Sequence, residues 1–291
     1  MIKYFKWIIV CGIIATGCKI RCNKPIENKT ICNPLNLSYR FMPEKPSRRE
    51  AADPSVIIFR DDYYLFASKS GGYWYSADLA DWIFVETDEI PTEEYAPTAI
   101  SLNDTIFFLA SSGQPAIYKS GDPQSGKWEI ARESLPFPVV DPAFYQDDDG
   151  RLYLYWGCSN REPIYAVELD YNNNFEPLGN ITECFSGLPE KHGWEQKGDY
   201  NELPGRPWIE GAWVNKHNNR YYLQYAGPGT EYKSYADGVY VADNPLGPFK
   251  YAEHNPFSYK PEGFICGAGH GSTIKDRYGN YWHFATMSVN I

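Results

Sequence analysis

One unit recurs five times between residues 52 and 286, and this repeat restricts the fold more than any other feature of the chain. The first copy runs Ala52-Asp53-Pro54-Ser55-Val56-Ile57-Ile58-Phe59, then Tyr63-Tyr64-Leu65-Phe66-Ala67-Ser68. The second is Tyr95-Ala96-Pro97-Thr98-Ala99-Ile100 with Ile106-Phe107-Phe108-Leu109-Ala110-Ser111. The third is Val140-Asp141-Pro142-Ala143-Phe144 with Leu152-Tyr153-Leu154-Tyr155-Trp156-Gly157. The fourth is Ile209-Glu210-Gly211-Ala212-Trp213-Val214 with Tyr221-Tyr222-Leu223-Gln224-Tyr225-Ala226, and the fifth is Gly269-His270-Gly271-Ser272-Thr273-Ile274 with Tyr281-Trp282-His283-Phe284-Ala285-Thr286. In each copy a key residue precedes Pro or Gly, a small residue and an apolar strand. A polar turn and an aromatic strand follow. Asp-Asp, Asn-Asp, Asp-Gly, Asn-Asn and Gly-Asn fill the turns, which is hairpin chemistry. The key positions 53, 96, 141, 210 and 270 are separated by 43, 45, 69 and 60 residues. Strand hairpins repeating at roughly 40–50 residues predict a β-propeller. The expected fold is all-β, with five blades.

In a propeller the innermost strands converge on one axis, so equivalent positions at their starts face a shared cavity. Asp53, Asp141, Glu210 and His270 hold that register, and the second copy contributes Ala96. Taken singly, an Asp before Pro is an ordinary turn opener. Three carboxyls and an imidazole gathered at one end of a channel are different, because packed like charges cost free energy and shift pKa values. The stretch between Asp141 and Glu210 is about 25 residues longer than the first two spacings, and its surplus carries His192, Trp194, Tyr200 and Trp208. A long aromatic-bearing connection of this kind is a candidate pocket lip. Trp74, after the first hairpin, is a candidate stacking platform for a bound ligand.

Composition narrows the partners. The net charge of -10 over 291 residues argues against nucleic acid, whose binders present basic stripes. The 24 Tyr, 15 Phe and 9 Trp exclude a disordered chain. The N-terminus reads as an address. Lys3 and Lys6 precede an apolar run, residues 7–14, that is too short to cross a bilayer. Ala15-Thr16-Gly17-Cys18 then resembles a bacterial lipobox, with residues 1–17 as signal and Cys18 as the lipidated residue. The expected protein is exported and held by acyl chains at the bacterial periplasmic or outer-membrane surface. Residues 18–50, with Pro25, Pro34, Pro43 and Pro46, read as its tether. Residues 51–291 then form the propeller.

The motifs together resemble glycoside hydrolase family 43, the five-bladed inverting glycosidases. Ala52-Asp53-Pro54, Ala96-Pro97, Val140-Asp141-Pro142-Ala143-Phe144, Ile209-Glu210-Gly211-Ala212, residues 245–249 (PLGPF) and residues 267–273 (GAGHGST) carry the resemblance, in family order. It implies that Asp53 is the general base, Glu210 the general acid, and Asp141 the residue that tunes and orients the acid. Tyr95 stands where members often carry a Trp lining the sugar pocket. His270 resembles an axial histidine that in some members helps to hold a calcium ion or water. Calcium at the axis is therefore the one metal the resemblance admits, and the chemistry requires none. An inverting mechanism needs one protonated and one ionised carboxyl, so Glu210 is expected to have a raised pKa, with ionised Asp141 as the cause.

Only 21 residues follow His270, which is room for two strands where a blade has four. Further fifth-blade strands and an arginine that the family pattern contains are missing, so the expected fifth blade is incomplete, with an open edge. The implied activity is exo-acting, inverting hydrolysis of oligosaccharides from polysaccharides, with α-L-arabinofuranosides or β-D-xylosides as substrates. The rival reading is a non-catalytic glycan-binding propeller lipoprotein.

Overall fold

The computed structural model describes residues 29–37 and 51–289. Lipidation at Cys18 and the signal over 1–17 lie outside them. Four antiparallel sheets, three of four strands and one of five, follow one another along the chain. The first is β1 (Ala52–Phe59), β2 (Asp62–Ser68), β3 (Gly72–Ser76) and β4 (Ile83–Glu86). The second is β5 (Thr98–Leu102), β6 (Thr105–Leu109), β7 (Ile117–Ser120) and β8 (Glu129–Arg132). The third is β9 (Ala143–Gln146), β10 (Leu152–Trp156), β11 (Ile164–Asp170) and β12 (Glu176–Phe185). The fourth is β13 (Glu210–His217), β14 (Arg220–Gly227), β15 (Ala236–Ala242) and β16 (Lys250–Tyr251), with β17 (Ser258–Tyr259) on the other half of β15. A fifth sheet pairs β18 (Ile265–Lys275) with β19 (Tyr281–Val289).

The inner strands β1, β5, β9, β13 and β18 touch in that order, and β18 touches β1, which closes the ring. The fold is therefore a β-propeller of four complete blades and a two-stranded fifth. Local chemistry sets the hairpins. Asn103-Asp104 and Asn218-Asn219 have positive φ at both residues, the backbone of a type I′ turn. Aromatic strands fill the spaces between blades. Phe66, Phe108 and Trp128 meet between the first and second. Tyr155 and Tyr225 lie between the third and fourth.

Residues 29–37, part of the expected tether, lie on the propeller instead. Ile31, Leu35 and Leu37 join Trp282 and Phe284 of the fifth sheet in a cluster with Trp74, Leu65 and Trp82 of the first. Lys29 reaches Asp78 and Asp81. Trp74 is fully buried in this cluster and packs on Phe84 with ring centroids 5.3 Å apart, so it is unavailable for stacking on a sugar. Between the fourth and fifth sheets a groove of about 450 Å³ stays open, lined by Tyr222, Val239, Phe257 and Tyr281 among others.

Candidate active site

A single backbone device turns the site residues inward. Asp53, Ala96 and Asp141, at or just before the start of an inner strand, and His270, within β18, lie at φ of 54°, 44°, 52° and 48°. Non-glycine residues enter this left-handed region only at a cost of order 1–3 kcal/mol. Hydroxyls help to hold them there. Ser68 Oγ accepts from the Ala96 N–H at 2.7 Å and donates to Asp53 Oδ2 at 2.5 Å. Ser111 Oγ accepts from the Asp141 N–H at 2.9 Å, and Thr286 Oγ1 from the Asp53 N–H at 2.7 Å. A second set ties neighbouring blades: Ser55, Thr98 and Ser272 accept from the N–H of Ala99, Phe144 and Val56.

Glu210 departs from the expected register. It pairs with Ala226 as Ala52 pairs with Ser68 and Gly269 with Thr286, one residue before the left-handed position. Gly211, at φ 64°, occupies that position in the fourth blade, and a Cβ there would meet His270 Cγ at 2.9 Å. Glu210 still reaches the centre.

The carboxyls converge on one imidazole. His270 Nδ1 lies 3.2 Å from Asp53 Oδ1, 3.6 Å from Asp141 Oδ2 and 3.9 Å from Glu210 Oε1. The His270 and Gly271 N–H groups donate to the buried carboxylate of Asp237 at 2.8 and 3.1 Å. Tyr235 Oη donates to Glu210 Oε1, and Cys158 Sγ donates to Glu210 Oε2 at 3.0 Å. Above them opens a cavity of about 320 Å³, lined by Tyr95, Ser111, Cys158 and Thr230 together with the four central residues. Tyr95 is half-exposed at this cavity, with Lys69 Nζ 4.9 Å from its ring centre.

Burial lowers the His270 imidazolium, but Asp53, Asp141 and Glu210 outweigh it and push the pKa up to about 10. Burial, together with the charges of Glu210 and Asp53, pushes Asp141 up to about 7 against the pull of His270. Burial would also raise Glu210, yet hydrogen bonds from His270, Tyr235 and Cys158 hold it below the usual carboxylate range. The expectation of a raised Glu210 is thus corrected. Donors converge on Glu210, and the retained proton belongs to the pair it forms with Asp141.

Asp141, Glu210 and His270 place donor atoms within 4.8 Å of one another. Calcium takes about six to eight oxygen ligands. Here one imidazole and two carboxyls are offered, far short of that oxygen shell, so the residues do not fit that ion and no step is derived through a metal.

The long connection before Glu210 is not a pocket lip in the expected way. His192 stacks on Tyr251 at 3.5 Å, and Trp194 Nε1 donates to Tyr251 Oη at 2.8 Å. Both pack on the fourth blade, with buried Glu195 bonded to Tyr225 Oη at 2.5 Å. Tyr200 and Trp208 remain exposed. Sequence reasoning missed Ser68, Ser111, Thr286, Tyr235 and Cys158. The Ala-Ser and Ala-Thr pairs closing three of the aromatic strands were a legible signal for the first three.

A closed ring of inner strands with a carboxylate cluster at its axis defines a propeller of the acid–base glycosidase type. The chain belongs to glycosyl hydrolases family 43, whose model matches residues 46–290. It is 31% identical over 234 residues to a β-D-galactofuranosidase of Aspergillus niger, covering 68% of this chain and 62% of that protein. It is 25% identical to a xylosidase/arabinosidase of Butyrivibrio fibrisolvens, over 79% of this chain and 48% of that protein. The chain thus spans about half to three fifths of the length of these relatives. Among solved structures, a thermostable family-43 glycoside hydrolase superposes with a TM-score of 0.65 at 24% identity, covering 79% of this chain and 80% of that one. A xylan β-1,4-xylosidase of Bacillus halodurans gives 0.67 at 21%, over 83% and 49%.

Proposed function

We propose that the protein is an exo-acting, inverting glycoside hydrolase that removes α-L-arabinofuranosyl or β-D-xylosyl units from polysaccharide-derived oligosaccharides. The observation that carries this reading is the meeting of Asp53, Asp141 and Glu210 around His270 at the base of one cavity. Asp53 is the general base: Ser68 orients one of its oxygens and His270 balances its charge. Glu210 is the general acid, fed by the proton it shares with Asp141. A cavity of about 320 Å³ is small among ligand pockets, which favours one terminal sugar over a threaded chain. Relatives named xylosidase/arabinosidase support the sugar class. We propose too that the enzyme works outside the cytoplasm, anchored at Cys18, on the strength of Lys3, Lys6, the apolar run and Ala15-Thr16-Gly17-Cys18.

The test is a screen of nitrophenyl α-L-arabinofuranoside, β-D-xyloside and β-D-galactofuranoside, with the anomer of the released sugar followed by NMR. Release with inversion from either of the first two supports the reading. Release only from galactofuranoside changes the sugar and keeps the mechanism. Binding without release replaces it with a glycan-binding role.

A further inference from the structure

Cys158 occupies a position that the rest of the propeller treats differently. In the first, second and fifth sheets the second strand carries Ser68 at its end, is followed by Ser111, or contains Thr286, and each hydroxyl accepts a backbone N–H from the next blade. Counting from the same pairing, the third blade has Gly157 there, and Cys158 follows. The backbone on either side is tied to both carboxyl-bearing strands. The Gly157 N–H donates to Val140 O at 2.8 Å, one residue before Asp141. Ser159 and Ile209, the latter one residue before Glu210, exchange hydrogen bonds of 3.2 and 3.1 Å. Gly157 is at φ 145°, and a Cβ there would meet Pro163 O at 2.9 Å, so the crossing is tight. The thiol is consequently held in the gap, with Sγ 3.0 Å from Glu210 Oε2 and Asp141 as its other neighbour.

We propose that Cys158 is a positioning residue for the acid. Its S–H holds Glu210 Oε2 while Tyr235 holds Oε1, and this decides which of Asp141 and Glu210 keeps the shared proton. The claim rests on the glycosidase reading above. The chemistry of the thiol suits the task. It has one hydrogen to give and lies beside two carboxyls. Burial, then the charges of Asp141 and Glu210, push its own pKa far up, so it stays a donor rather than becoming a thiolate. An S–H is a weak donor, so it steadies the Glu210 carboxylate without binding it so firmly that protonation fails. The other ionisable groups facing this carboxyl are Asp53, Asp141, His270 and Tyr235, with Asp237 behind His270. Of these, Asp141 also bonds to the thiol, so both carboxyls of the pair lose or gain a donor together when Cys158 is replaced.

Two substitutions therefore move the pH profile in opposite directions. Cys158→Ser supplies a stronger donor, stabilises the carboxylate, and shifts the alkaline limb of kcat/KM down by about half a unit. Cys158→Ala removes the donor and shifts that limb up by about half a unit, with kcat falling about tenfold while KM changes little. Limbs that stay put, or that move the same way in both variants, would overturn the proposal, because lost packing alone gives no opposed shift. A readout independent of turnover is the infrared difference spectrum of wild type minus Cys158→Ala. The expected S–H band lies at the lowered frequency of a thiol bonded to a carboxylate, and a band at the unbonded frequency sinks the idea. Should no glycoside be cleaved, the function assignment fails while the infrared band still decides the thiol's role.

Discussion

The chemistry of this site turns on a charge balance: three carboxyls share one imidazolium. His270, pushed up to about 10, is charged throughout the physiological range, and Asp141, pushed up to about 7, is the group that titrates near neutrality. The signs follow from linkage. Both folded-state values are raised, so each group contributes stability that is complete below its unfolded value. For Asp141 that contribution is lost between about 4 and 7, and for His270 between about 6.5 and 10. Thermal stability should therefore decline as pH rises from 4 to 10, less steeply in His270→Asn above pH 7, as calorimetry across that range would measure. Activity follows the proton shared by Asp141 and Glu210, so kcat/KM should fall above about pH 7. Asp141→Asn removes the neighbouring negative charge, lowers Glu210 further, and should move that limb down. A limb unchanged in the variant would dissociate Asp141 from the acid. Glu210→Gln and Asp53→Asn should each reduce kcat at least 10²–10³-fold with the fold retained, since each removes a proton-transfer group. Near-normal release of nitrophenol by either variant, with an unaltered circular dichroism spectrum, contradicts the roles given to them. Asp53, Asp141, Glu210 and His270 were legible in the sequence because the repeat aligns them. Which carboxyl holds the proton was not, because Tyr235 and Cys158 come from a loop and a strand end outside the repeated motif. Trp74 shows the converse limit: an aromatic beside a hairpin is either sugar platform or core, and only packing decides.

At the scale of the elements, the device is a left-handed residue near the axis end of an inner strand, whose N–H at Asp53, Ala96 and Asp141 is capped by a hydroxyl from the preceding blade and at His270 by the Asp237 carboxylate. Ser68 joins two such strands, because its Oγ accepts from Ala96 N–H and donates to Asp53. Ser68→Ala should lower stability by about 1 kcal/mol and cut kcat far more than it raises KM, because the base loses the partner that orients it. An equal fall in both kinetic terms and no change in melting would assign Ser68 a passive place. The hairpins themselves were readable from turn chemistry at Asn103-Asp104 and Asn218-Asn219. The one-residue offset of Glu210 was not. Ala52, Glu210 and Gly269 share a pairing position and each is followed by the same bulge, but the repeat aligns Glu210 with Asp53 by residue type. The longer Glu side chain compensates for the offset and brings its oxygens to the same imidazole.

At the scale of the whole molecule, the ring is closed by β18 while the fifth sheet, among the described residues, ends at β19. The outer strands of the complete blades carry charges: Glu86 on β4, Glu129 and Arg132 on β8, Glu176 and Glu183 on β12, Lys250 on β16. Such residues discourage edge-to-edge pairing. The nine residues of β19, YWHFATMSV, include no Lys, Arg, Asp, Glu or Pro. Its neighbour is the apolar groove of about 450 Å³, where buried Asn215 Oδ1 and Gln224 Oε1 lack partners. The inner side of the same hairpin is covered, since Trp282 and Phe284 pack with Ile31 and Leu35. The incomplete fifth blade was legible from strand count, but this cover was not, because residues 29–37 lack strand alternation and bind through scattered apolar side chains. Unequal protection of the two sides has a measurable consequence. Light scattering should show association that rises with protein concentration, and Val289→Lys, which places a charge at an exposed position of the unguarded strand, should suppress it while leaving kcat within about twofold. Leu35→Asp acts on the other side. It should lower the melting temperature, by about 1–2 kcal/mol in free energy, without relieving association. A wild-type chain that stays monodisperse at every concentration would mean that the edge of β19 is already satisfied, and an Asp at position 35 that melts normally would mean that the first and fifth sheets hold together without residues 29–37.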